Sequence, residues 1–365
     1  MAGHTVTITH ADAGAGPGPS APRMLTGDRP TGRLHLGHYV GSLANRVRLH
    51  RRYESFFIVA DLHMLTTKNS PADIAAVRRN ATDMVLDSLA VGLDPAHSVF
   101  FLQSAIPEIA QVSLLLASLV TVPRLERIPS LKEMARDAGK REMPFALLGY
   151  PVLQAADILS VKAAAVPVGS DNAPHVEVAR EVARRFNRRY GPVFPVPALV
   201  RADVPSLPGT DGQGKMSKSL GNAIYLSDPP EEVHSKVLRM YTDPARTRPG
   251  VPGTVEGNPV FAYHAAFNDR PAEVADLAER YRSGQVGDVE VKEKLAAAIN
   301  RFLAPVQERR ARFQANEGLA EELIVSGTAR TRREVRRTLA GMRAAMGLTA
   351  VFTGLRRGAR RAAAR

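Results

Sequence analysis

Apolar residues along this chain follow two different periods, and the change between them divides it. Up to about residue 200, short unbroken apolar runs alternate with stretches in which apolar positions recur every three or four residues. The runs are Arg23-Met24-Leu25-Thr26-Gly27, Phe56-Phe57-Ile58-Val59-Ala60, Val99-Phe100-Phe101-Leu102 and Ala165-Val166-Pro167-Val168. Their length and β-branched or aromatic content predict buried strands. Between them, Arg33 to Leu43 runs into an expected helix through about His50, and helical spacing predicts a long one from Pro71 to about Val91, through Ile74, Val77, Ala81, Met84, Val85 and Leu89. Further helices are expected over Ile109 to Val120, over Leu147 to Leu159 with Pro151 opening it, and through Val176, Val178, Val182 and Phe186. Strand and helix in alternation imply a parallel sheet with right-handed crossovers.

Beyond residue 228 the strand pattern stops. Segments 230–241, 259–268, 271–283, 288–314 and 317–346 all read as helices, with Leu295, Ile299, Phe302, Leu303 and Val306 forming one stripe. The expected architecture is α/β, a parallel-sheet catalytic domain over 23–227 followed by a mainly helical domain over 228–347. Residues 1–22, rich in Gly, Ala, Pro and Ser, read as a disordered tail, and 348–365 as a basic tail with weak core potential.

Composition narrows the picture. The chain has 365 residues and no cysteine, which removes disulfides and thiolate metal sites and permits a reducing cytoplasm. No apolar run approaches the roughly 20 residues a membrane span needs, and no signal peptide is visible, so no membrane partner is expected. The formal charge is +13, and residues 301–365 hold 15 arginines against five glutamates. A polyanionic partner such as nucleic acid is one reading of that excess; a solvated arginine-rich surface is the other.

Polar residues cluster where such a sheet binds ligands, at the carboxyl ends of its strands. After the first run come Asp28-Arg29-Pro30-Thr31-Gly32 and then His35-Leu36-Gly37-His38 at a helix start, whose free N–H groups favour anions. After the second come Asp61 and His63, and after the fourth Gly169-Ser170-Asp171-Asn172, with Asp171 placed to accept from a ribose or an amine. Tyr150, Gln154 and Asp157 share a helix face, and a buried carboxylate there needs a donor or is a satisfied core group. Finally, residues 207–226 enclose Lys215-Met216-Ser217-Lys218-Ser219 between glycines, forming a mobile cationic loop suited to a polyphosphate.

A Gly-and-His helix start after the first strand, paired with Lys-Met-Ser-Lys-Ser after the last, resembles the two signatures of class I aminoacyl-tRNA synthetases. The chain is most similar to the bacterial tryptophanyl branch. That likeness rests on Thr26-Gly27 with Pro30-Thr31-Gly32, on Tyr150-Pro151-Val152-Leu153-Gln154-Ala155-Ala156-Asp157, on Val166-Pro167-Val168-Gly169 with Asp171, and on Asn258-Pro259-Val260-Phe261. It departs at Arg29, where many members carry Gln, and at Ser170 and Asn172, where many carry Glu and Gln. Arg29 with the complete His-Leu-Gly-His looks more like an auxiliary or divergent branch.

The resemblance implies a Rossmann-like sheet, a helical anticodon-binding domain, a cytoplasmic homodimer touching through 109–120, and activation of L-tryptophan with ATP before transfer to tRNA(Trp). It implies that His35 and His38 meet the phosphates, the Gly37 backbone meets adenine, and Lys215 and Lys218 meet departing pyrophosphate, with Lys132 a further phosphate candidate. Arg29, Pro30, Thr31, Gly169, Ser170, Asp171, Met216, Ser217 and Ser219 complete the nucleotide side, and Leu207 and Asn172 border it. Mg²⁺ would be carried by the phosphates, with no metal held by the protein. Asp157 would accept the indole N–H, Tyr150 and His63 would meet the amino and carboxylate ends, and Gln154, Val166 and Val168 would wall the ring. A tyrosyl-tRNA synthetase, a small-molecule nucleotidyltransferase and a paralogue with a regulatory or resistance role are the alternatives.

Overall fold

The computed structural model describes residues 21–137, 142–169, 172–201, 207–218, 220–246, 248 and 250–363. Most of the N-terminal tail, the final two residues, Ser170, Asp171 and Ser219 therefore lie outside the described residues.

Five parallel strands form one sheet: β1 (Arg23–Asp28), β2 (Glu54–Val59), β3 (Ser98–Leu102), β4 (Ala165–Val168) and β5 (Ala198–Arg201). Their order is β3-β2-β1-β4-β5. The chain thus steps outward from β1 in one direction, then returns to continue on its other side. The crevice at the carboxyl ends of β1 and β4 is the switch point at which an open α/β sheet takes a ligand.

Through the first half, α1 (Leu36–His38) runs by a π-helical turn, Tyr39–Leu43, into α2 (Ala44–Leu49). After β2 come α3 (Asp61–Met64), α4 (Pro71–Ala75) and α5 (Val77–Ala90), and after β3 come α6 (Glu108–Ala117), α7 (Val122–Glu126), α8 (Pro129–Asp137) and α9 (Phe145–Ser160). The helix α10 (Ala173–Tyr190) follows β4. The second half is helical: α11 (Pro230–Leu238), α12 (Pro259–Phe267), α13 (Pro271–Arg282), α14 (Asp288–Gln314), α15 (Leu319–Ala345) and α16 (Leu348–Ala363).

Two sequence expectations need correction, and two elements were not foreseen. The helix expected over 71–91 is two helices joined at Ala76, and Pro151 lies inside α9, which starts after Pro144. The proline removes one N–H from the ladder without ending the helix, because the apolar faces on either side are both packed. Strand β5 was not anticipated. Residues 348–363 form a helix, none of whose residues is buried.

Alternation along the strands feeds two cores. Met24, Phe57, Val59 and Phe100 face one layer with Tyr39, Val85, Leu295 and Ile299, while Leu25, Phe56, Ile58 and Phe101 face the other with Ile109, Ile158, Val182 and Leu339. Helix α14 belongs to the first core and packs against α5, while α15 borders both, with Ala320 and Ile324 in the first and Val335 and Leu339 in the second.

The edge strand β3 is covered by α15. The Thr328 hydroxyl accepts from the Leu102 N–H at 3.0 Å, so part of that exposed edge is satisfied by a side chain. At Gly327 the helix comes so close that a Cβ would fall on the Phe100 carbonyl. Gly327→Ala is expected to destabilise the fold by about 1–3 kcal/mol, read as a lower denaturation midpoint with unchanged slope.

Many C-terminal arginines act in this docking. Arg310 donates to Asp83 (2.9 Å) and Asp87 (2.8 Å), Arg330 to Glu54 (2.8 Å), and Arg332 and Arg336 both to Glu108. Part of the basic excess therefore fastens the C-terminal helices to carboxylates on β2, α5 and α6.

Candidate active site

The segment between β1 and α1 is pinned from two sides. Leu34 N–H donates to buried Asp87 (3.1 Å), while Leu36 N–H donates to the Ile224 carbonyl (2.9 Å) and Leu226 N–H to the Leu34 carbonyl (3.0 Å). The histidine-bearing helix start and the exit of the lysine loop are therefore one short ladder.

His35 is the N-cap of α1 in an extended conformation, and its backbone N–H donates to His38 Nδ1 at 3.2 Å. That bond puts the His38 proton on Nε2. The two rings sit 3.7 Å apart. Burial, with the neighbouring imidazole and Lys218, pushes His35 down to about 2; burial likewise pushes His38 down to about 4, against the pull of Asp28. Both rings are neutral at pH 7. Such rings can offer hydrogen bonds but carry no positive charge.

Residues 207–216 fold back on themselves. Pro208 pairs with Lys215, Gly209 N–H donates to the Gly214 carbonyl (3.1 Å) and Met216 N–H to the Leu207 carbonyl (3.3 Å). Positive φ at Gly212 (75°) and Gly214 (64°) makes the reversal possible. Met216 is buried over α1, with the Gly37 N–H 3.3 Å from its sulfur. Ser217 N–H is held by Asn222 at 2.8 Å. Lys215 lies on the exposed side of the loop, whereas Lys218 turns inward and its ammonium donates to the Gly32 carbonyl at 2.7 Å. Burial lowers Lys218 to about 8, with Asp28 and Asp87 opposing the fall.

The turn after β1 completes this side. Arg29 donates to the Thr67 hydroxyl (3.1 Å), Asn80 to the Pro30 carbonyl (3.0 Å), and Thr31 N–H to the Arg29 carbonyl (2.8 Å). Asp28 is tied to Arg46, whose Nη2 lies 3.2 Å from Oδ1; although burial works against it, the guanidinium holds the carboxyl at about 2.

Across the crevice, α9 presents Tyr150, Gln154 and Asp157. Asp157 is 2% exposed and accepts from Gln103 Nε2 at 2.9 Å, and His63 Nε2 lies 2.8 Å from its other oxygen. An ionised carboxylate only accepts, so that His63 nitrogen carries the hydrogen. Burial raises the Asp157 carboxyl and the two donors counter it. Tyr150 packs edge-on against His63, and its hydroxyl lies 2.7 Å from His175 Nε2, which is also 2.8 Å from Ser130 Oγ. Val166 is buried on β4, and Val168, Gly169 and Gln154 are half-buried.

The structure thus brings His35, Gly37, His38, Met216 and Lys218 together on one side of the crevice, and His63, Tyr150 and Asp157 on the other. Lys132 is exposed on α8, Leu207 is buried at the loop's entrance, and Asn172 caps α10. Sequence reasoning missed Gln103, Ser130 and His175. Gln103 directly follows the buried run that ends at Leu102, the same strand-end position that singled out His63. Among the described residues, no group of three or more His, Asp or Glu is arranged to hold a metal ion.

A parallel sheet with its switch point beside β1, a paired-histidine helix start and a lysine loop laddered to it define an ATP-using, amino-acid-activating ligase of the class I synthetase type. The family model "tRNA synthetases class I (W and Y)" matches residues 19–304, and the chain belongs to that family. Within it, a tryptophan–tRNA ligase of Treponema pallidum is 58% identical over 328 residues, covering 90% of this chain and 97% of the relative. One from Borreliella burgdorferi is 49% identical, covering 91% and 95%. The crystal structure of the Campylobacter jejuni tryptophanyl-tRNA synthetase complexed with ADP and tryptophan is similar at a TM-score of 0.75 and 29% identity, covering 89% of this chain and 99% of that one.

Proposed function

We propose that the chain is a tryptophan–tRNA ligase that activates L-tryptophan with ATP, releases pyrophosphate and passes the tryptophanyl group to tRNA(Trp). The observation that carries the choice of amino acid is the buried Asp157 carboxylate beside His63 and Tyr150. An ionised carboxylate can accept about four hydrogen bonds. Gln103 and His63 supply two donors and fix its orientation, and an indole N–H would be a further one. An amino acid lacking a donor at that place would leave the charge underpaired, a discrimination of about 10⁴–10⁵ in sites of this kind.

In the first step the tryptophan carboxylate attacks the α-phosphorus in line, forming the mixed anhydride as the bond to pyrophosphate breaks. Positioning and charge stabilisation dominate such a transfer. His38, with Nε2–H available, and His35 would donate to phosphate oxygens. Lys218 would leave the Gly32 carbonyl for the pyrophosphate, where negative charge grows. Arg29, Pro30, Thr31, Gly169 and the loop backbone at Met216 and Ser217 would surround the nucleotide, with Lys215 closing from outside. The groups turned toward the phosphates are mainly donors and cations, so Mg²⁺ accompanying ATP would ride on phosphate oxygens.

Residues 228–347 would carry the anticodon-binding surface. The exposed Leu114 on α6 and Phe145 at the start of α9, 73% and 85% exposed, fit a homodimer contact. Cytoplasmic residence fits this activity, and among the described residues no single helix is long and apolar enough to cross a membrane. The test is ATP–pyrophosphate exchange with each amino acid. Exchange stimulated by tryptophan and not by tyrosine is expected, and tyrosine-dependent exchange alone would overturn the proposal.

A further inference from the structure

The last helix, α16, is separated from α15 by a bend of 72° at Gly347, whose φ is +77°. It is 16 residues long, about 24 Å, and none of its residues is buried. Its side chains are nevertheless strictly sorted. Leu348, Val351, Phe352 and Leu355 recur at intervals of three and four, which confines them to one sector of about 100°. Arg356, Arg357, Arg360 and Arg361 lie around the opposite side, and no acidic residue occurs from 348 to 365. Val351, Phe352 and Leu355 are all more than 60% exposed, and the Arg356 guanidinium lies 6.0 Å from the Phe352 ring centre, at the border between the two sectors.

We propose that α16 is a docking helix for the surface of an anionic lipid bilayer, lying in the interface with its apolar sector among the acyl chains and its arginines at the headgroups. Both sectors are needed to choose this occupant. A nucleic-acid backbone would use the arginines and leave four large apolar side chains in water. A second copy of the helix would cover the apolar sector but give the arginines no counter-charge, because α16 has no carboxylate to offer. An anionic bilayer supplies negative charge and an apolar medium a few ångströms apart, which is the sequence of environments the two sectors present. The helix is too short and too charged to span, so this is attachment to one leaflet.

The experiment is co-sedimentation of the full chain with vesicles of phosphatidylcholine alone and of equal parts phosphatidylcholine and phosphatidylglycerol. Binding is expected only with phosphatidylglycerol. Val351→Ser with Phe352→Ser, and separately Arg357→Gln with Arg361→Gln, should each weaken it at least about tenfold. Tryptophan-dependent pyrophosphate exchange and melting temperature should stay unchanged, since these side chains touch no core. No binding to either vesicle would overturn the proposal, as would undiminished binding by the apolar double variant, which would leave simple charge attraction. A fall in the protein's oligomeric mass caused by that variant without lipid would assign the face to a second copy, and a raised KM for tRNA with lipid binding intact would assign it to RNA.

Discussion

Replacing Lys218 with alanine is expected to slow tryptophan activation by at least tenfold, and on the scale of 10², while tryptophan affinity stays nearly unchanged. The ammonium is held by the Gly32 carbonyl at 2.7 Å, a neutral acceptor that in the proposed mechanism it would exchange for a multiply charged one. The gain from the exchange grows as the α–β bond breaks, so it lowers the barrier more than it deepens ground-state binding. Burial has also brought the amine to about 8. In the free enzyme the charged form is therefore lost as pH rises through that value, and kcat/KM for ATP should fall there. Below it the amine is protonated and its contribution complete. Lys218→Ala should lack this alkaline limb. Pyrophosphate exchange across pH 6.5 to 9.5 reads both effects; equal loss of tryptophan affinity and rate, or an alkaline limb retained in the variant, would contradict this role.

Asp157→Asn is expected to weaken tryptophan binding by about ten- to a hundredfold and ATP binding much less. The change is nearly isosteric, but one acceptor becomes an NH₂ group among donors that already point inward, from Gln103 at 2.9 Å and His63 at 2.8 Å. One of those donors then faces another, and the orientation that keeps an oxygen for the indole N–H loses a partner elsewhere. Calorimetric titration with each substrate separates the two affinities, and a melting curve checks that the fold persists. Unchanged tryptophan affinity would make Asp157 a core group serving only Gln103 and His63.

The strands β1 to β4 were legible because each is a short apolar run bounded by turn residues, a pattern that a buried parallel strand requires. Strand β5 was not. Ala198-Leu199-Val200-Arg201 is only four residues long, follows a proline-rich stretch and becomes a strand through pairing with β4. Asp157 could be singled out because a carboxylate on an apolar helix demands a partner. Which partner it has is decided by the β3 terminus, 54 residues away in the chain, and no local spacing encodes that. The same holds for Tyr150 and His175. Histidine charge was equally invisible, since the depression of His35 and His38 comes first from burial, with His38 and Lys218 adding to it at His35 and Lys218 and Arg46 at His38. The arginine excess was plain, but its division between structural pairs and solvent depends on where α14 and α15 land.

The ladder between Leu34–Leu36 and Ile224–Leu226 joins segments separated by about 190 residues, with most of the sheet made in between. Closing so long an interval costs entropy that the ladder alone does not repay, so it forms only after the intervening sheet has condensed. His35 and His38 leave the ribosome long before residues 224–226, so the proposed phosphate site is expected to close only once Leu226 has emerged. Nucleotide binding is therefore expected only in chains that extend past Leu226, which ATP binding to a series of C-terminally truncated chains would check.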